Sequence, residues 1–102
     1  MPVTPYLTVV IRHDPIHWTS PPYRKFKAWA VDEGIPEETG HFLSVWAATD
    51  ETPIYAVLDV YDLDENGNKI PDGEGGYTTH PVTYSPLTQL PPTSGTIVGG
   101  AR

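Results

Sequence analysis

The sequence predicts a mostly β domain, a small antiparallel sandwich or barrel-like fold with an extended Pro/Gly-rich C-terminal arm. Three observations lead there. Short runs of apolar, β-branched and aromatic residues recur along the chain. Turn formers separate them. Finally, 12 prolines and 9 glycines among 102 residues demand many turns, while falling short of a disordered composition.

Residues 6–12, Tyr-Leu-Thr-Val-Val-Ile-Arg, suit a buried strand. His13 to Pro22 holds three prolines and reads as an irregular crossing. Residues 23–31 admit two readings. As a strand they place Phe26, Ala28 and Ala30 on one face and Lys25, Lys27 and Trp29 on the other. As a helix near 21–33 they start well at Ser20 and Pro21 and stop well at Gly34 and Pro36. The helix reading sets Arg24, Lys25 and Lys27 at the positive end of the dipole and Asp32 and Glu33 at the negative end, which favours the strand. The alternative fold is then α+β with that one helix.

Residues 41–48 form another apolar strand, and Asp50-Glu51-Thr52-Pro53 a turn. Residues 54–62 alternate most clearly: Ile54, Ala56, Leu58 and Val60 share one face, Tyr55, Val57, Asp59 and Tyr61 the other. Asn66-Gly67 is a preferred pair for a tight hairpin. Residues 77–84 give a last short strand, interrupted by Pro81. Leu7, Val9, Ile11, Leu43, Val45, Ile54, Ala56, Leu58 and Val60 are the expected core.

Length allows one domain, 1–84, followed by the arm, 85–102. Pro86, Pro91 and Pro92 favour an extended path for the arm. Charge is uneven. Four of the six basic residues precede residue 28, and the acids run from Asp32 to Glu74 apart from Asp14. No charged residue then appears before Arg102. The arm can fold back on its own domain or clamp a partner, and with no charge until its last residue it docks on protein without burying an unpaired ion. Leu87, Leu90, Ile97 and Val98 are its expected anchors, and the backbone of residues 93–98 could add a strand to a sheet edge. If a partner alone holds the arm, removing residues 86–102 leaves the domain's melting temperature near normal.

The net charge of −7 argues against a nucleic-acid partner. No apolar run is long enough to span a bilayer, and the first residues lack the pattern of a signal peptide. Without cysteine there is no disulfide or thiol chemistry.

Asp62, Asp64, Asn66, Gly67 and Asn68 match the first half of an EF-hand loop, but Gly73 stands where the bidentate acid belongs. We read a hairpin tip and assign no metal, with Asp62, Asp64, Asn66 and Asn68 as weak candidates. His13, Asp14 and His17 have Pro15 between them and lack an adjacent third ligand; His41 and His80 would have to come from elsewhere. No serine sits in a Gly-x-Ser-x-Gly elbow, and no cofactor motif is present, so no catalytic residue is assigned. The acid pair Glu37-Glu38 reads as solvated surface. Trp18, Trp29 and Trp46 fill a core in one reading; in another, outward Trp29 and Tyr61 form a sugar platform or protein hot spot.

The expected function is therefore a non-enzymatic structural or interaction protein of a larger assembly, such as a bacteriophage capsid decoration or tail accessory protein. Its partners would be other protein subunits, in a homo-oligomer or hetero-complex, with neither nucleic acid nor membrane. Its location follows from that reading: the virion if it holds, otherwise soluble. Two alternatives stand beside it: a carbohydrate- or surface-binding β-sandwich module, and a small acidic inhibitor mimicking nucleic acid.

Overall fold

The computed structural model describes residues 4–12 and 21–100. In chain order it contains β1 (Leu7–Arg12), α1 (Pro21–Asp32), a 3-10 turn at Glu37–Thr39, β2 (Gly40–Trp46), β3 (Tyr55–Tyr61), β4 (Thr79–Tyr84) and β5 (Gly95–Gly100). The five strands form one sheet in the order β4-β3-β2-β1-β5. The fold is mostly β, as expected.

Neighbours along β4-β3-β2-β1 are antiparallel, while β5 runs parallel to β1, with Leu7 opposite Gly95 and Val9 opposite Ile97. The sheet is therefore mixed. Alternation decides its faces. Leu7, Val9, Ile11, Leu43, Val45, Ala56 and Leu58 are buried on one face, with Ile54 and Val60 packed against them. This is the core set that the sequence predicts.

The layer over that face is a helix, which corrects the second sheet of the sandwich or barrel. Residues 23–31 are accordingly helical and not a strand. Tyr23, Phe26, Trp29 and Ala30 make a buried stripe along α1. Their rings pack in succession, with centroids 5.4 Å apart for Tyr23 and Phe26 and 6.1 Å for Phe26 and Trp29. Packing outweighs the unfavourable charges at the helix ends. An exposed charge at a helix end is worth about 0.3–1 kcal/mol. A single buried aromatic or leucine side chain returns about 1.5–3 kcal/mol. The stop at Gly34 is a Schellman motif: Ile35 N–H donates to Ala30 O at 2.8 Å, and Gly34 N–H to Val31 O at 3.1 Å. Gly34 has φ +77°, the left-handed conformation that the motif requires.

Of the paths open to the arm, it takes the one that folds back on its own domain. Leu87 N–H donates to Ile54 O at 2.9 Å, and the Leu87 side chain joins the core. The chain then passes the C-terminal end of α1. There Trp29 Nε1–H donates to Gln89 O at 3.0 Å, and the Glu33 carboxylate accepts from Thr88 N–H at 2.9 Å and Thr88 Oγ1–H at 2.5 Å. Beyond this clip the chain enters β5.

Candidate functional site

The four arm anchors separate into two kinds. Leu87 is buried and Leu90 half-buried, so both hold the arm to its own domain. Ile97 faces the core side of the sheet, and Val98 lies on the helix-free side with 45% of its surface exposed. Trp29 is 4% exposed and bonded to the arm, so it packs inside and does not form an outward platform.

The backbone of β5 gives this edge its chemistry. Gly95 N–H donates to Tyr6 O at 3.0 Å, so Gly95 points its backbone groups toward β1. Alternation then turns the N–H and C=O of Thr96 and Val98 outward, away from the sheet. Among the described residues nothing pairs with them, because β5 ends the strand order. Strand edges are usually blunted by charge, proline or a bulge. β5 has neither charge nor proline, and its pairing with β1 is regular. The opposite edge, β4, carries Pro81, an edge-compatible residue that lacks an N–H.

The sheet face away from α1 adjoins the bare edge. Thr8 and Thr96 hydroxyls meet there at 2.9 Å. Val10, Phe42 and Val57 are half-buried on it, and the Trp46 and Tyr55 rings stack at 5.0 Å between centroids.

Tyr61 lies in a different place. It helps line a groove of about 460 Å³ over β3 and β4, beside the 3-10 turn, with Val60, Leu63, Val82, Tyr84 and Lys69. The Lys69 ammonium sits 4.0 Å from the Tyr61 ring centroid and 5.5 Å from that of Tyr77. Burial, with Tyr77 nearby, holds the Tyr61 hydroxyl above the usual phenol range. His41 also packs on Tyr61, at 5.4 Å between ring centroids, and its buried Nδ1 has no hydrogen-bond partner among the described residues.

The segment between β3 and β4 holds the weak metal candidates. Asp64 N–H donates to Asn68 O at 2.8 Å, and Gly67 N–H to Asp64 O at 3.0 Å. Gly67 alone among the central residues has positive φ, +82°. This is a three-residue hairpin loop with a glycine bulge, so the Asn66-Gly67 signal marks a hairpin of a different turn type. Asp64 Oδ1 accepts from the N–H groups of Asn66 and Asn68, both at 2.9 Å, which directs that oxygen to the turn itself. Asp62 Oδ1 instead meets His80 Nδ1 at 2.5 Å, and this hydrogen bond holds the carboxyl below its ordinary range. Among the described residues no His/Asp/Glu group of three or more is placed to hold a metal ion. The His13-Asp14-His17 cluster and Trp18 lie outside the described residues.

Glu37 is the residue that the sequence misplaces. It is 1% exposed, not solvated. Tyr23 O–H donates to its Oε2 at 3.0 Å, and Lys27 Nζ lies 4.0 Å from its Oε1. Burial is the largest influence on both groups and raises both pKa values. The trio ties α1 to the 3-10 turn. Its spacing across two elements left no local signal in the sequence.

No family model matches the chain, and no curated protein or solved structure is similar enough to indicate a relationship.

Proposed function

We propose that the chain is a non-enzymatic structural or interaction protein of a larger assembly, in the manner of a bacteriophage capsid decoration or tail accessory protein. The carrying observation is the outer edge of β5, where no described residue pairs with the outward backbone groups of Thr96 and Val98. Main-chain pairing supplies affinity at such an edge, and flanking side chains supply selectivity. The uncharged arm lets protein approach without stripping water from ions. The groove beside Tyr61 supports the alternative of a surface-binding module, since aromatic and apolar walls with few polar groups are typical of ligand sites.

The test is made on particles. The chain, or its Val98→Pro variant, is supplied during growth of a bacteriophage whose genome encodes it, and gradient-purified virions are assayed by quantitative mass spectrometry. The proposal expects a fixed copy number for the native chain and a reduced one for the variant. Absence of the native chain from clean particles overturns the virion assignment. Equal incorporation of both forms overturns docking at β5.

A further inference from the structure

We infer that β5 pairs antiparallel with β5 of a second copy of this chain, joining two sheets across a two-fold axis. This deepens the interaction reading above and rests on it.

Three observations favour a second copy over a foreign strand. The first is register. Thr96 and Val98 both point their backbone groups outward, with Ile97 between them pointing inward. A two-fold axis at Ile97 sets Thr96 of one copy opposite Val98 of the other, and Val98 opposite Thr96. Each such pair exchanges both of its N–H···O bonds, giving about four in all. Ile97 then faces Ile97 in the closely spaced, non-hydrogen-bonded position, where side chains interact best.

The second observation is charge. Two copies that each carry −7 repel one another overall. From Gly75 to Gly100 there is no Asp, Glu, Lys or Arg, the longest such stretch of the sequence, so β5 lies where like copies meet with little repulsion.

The third is shape. Gly95 and Gly99 flank Ile97 on the helix side and fall opposite each other across the axis. No side chain there props the two strands apart. On the helix-free face, exposed Val98 and half-buried Val10 would continue into the Thr96 and Thr8 of the second copy.

An edge-to-edge contact is small, well below the ~1,200 Å² of standard interfaces, so the pair is weak and concentration-dependent. The experiment is sedimentation velocity on the full chain from about 10 μM to about 1 mM, a range that brackets weak association. Two variants accompany it. Val98→Pro removes an outward N–H while leaving the inward pairing of Gly95, Ile97 and Gly99 with β1. Thr96→Lys keeps every backbone donor and places a charge on the axis flank.

The expected result is reversible dimerisation of the native chain, with Val98→Pro monomeric throughout. Thr96→Lys should dimerise at least tenfold more weakly, and recover partly with added salt. Amide exchange of Thr96 and Val98 should slow only in concentrated native protein. A native chain that stays monomeric to about 1 mM overturns the second copy; the particle experiment then still decides the wider reading. A native dimer matched by both variants, with fast exchange at Thr96 and Val98, places the contact elsewhere and also overturns the inference.

Discussion

The ring of Tyr23 lies directly over Gly99, in the space that a side chain at position 99 would fill. Helix α1 and strand β5 therefore meet through a glycine and an aromatic ring. This contact seats the arm's last strand against the helix and explains why Gly99 is buried while Val98 beside it is exposed.

Gly99→Ala should lower stability by about 1–3 kcal/mol, the usual cost of overpacking a fitted contact. Thermal melts of the single variant, of Tyr23→Ala and of the double variant measure it. The alanine penalty should shrink once the ring is gone. An equal penalty in both backgrounds would place the strain elsewhere.

Glu37 sets a pH dependence. Its folded pKa lies above the ordinary 4.5, so between those two values the folded protein holds a proton that the unfolded chain has lost. The resulting stability is fully present below the unfolded value and is lost as pH rises through the folded one. Glu37→Gln keeps an acceptor for Tyr23 and removes the ionisation, so the fall in stability across that window should flatten. Glu37→Leu removes the acceptor as well and should cost about 1–3 kcal/mol at low pH. Denaturant melts from pH 4 to pH 8 distinguish these outcomes; a Gln variant with the native pH profile would clear Glu37 of any part.

Asp62 behaves oppositely. Its carboxyl is held below the ordinary 3.8 by the hydrogen bond from His80. Its contribution to stability is present above that value and disappears as pH falls through the folded one. Carbon-detected NMR titration should give Asp62 a midpoint below 3.8, moving upward in His80→Ala. A midpoint indifferent to residue 80 would count against the pair.

Leu58 is fully buried beneath the helix layer. Leu58→Ala should cost about 2–5 kcal/mol. An unchanged melting temperature would contradict the assigned face.

Removal of residues 86–102 has a consequence that the sequence does not foretell. It strips Leu87 from the core and β5 from the sheet. At about 1.5–3 kcal/mol for each large apolar side chain lost, the shortened domain should melt well below the full chain, not near it. Circular dichroism melts test this directly.

The legible parts of this fold are those whose pattern is local. Alternation from Ile54 to Val60 announces β3, and Gly34 with Pro36 announces the end of α1. What was hidden depends on distant residues. Residues 23–31 satisfy both periods, and only a sheet face waiting to be covered selects the helix. β5 is glycine-rich and nearly featureless alone; its pairing with Leu7–Arg12 lies at the far end of the chain. The same holds for the site. Leu87, Ile97 and Val98 stand out as apolar residues in an arm that carries no charge before Arg102. The opposite facing of Ile97 and Val98 follows from one hydrogen bond, Gly95 to Tyr6, while Leu87 is held in by Ile54. Glu37 looked solvated because its partners Tyr23 and Lys27 lie a helix away.

Pro81 limits how far such pairing can spread. It stands on β4, the rim opposite β5, and a rim that lacks a donor is a poor template for another strand. Joining two copies through β5 consumes the open rim of each and leaves β4 on both outer margins. Growth by the inferred pairing should therefore stop after one step, and a concentrated solution should reach a plateau at twice the monomer mass without gelling.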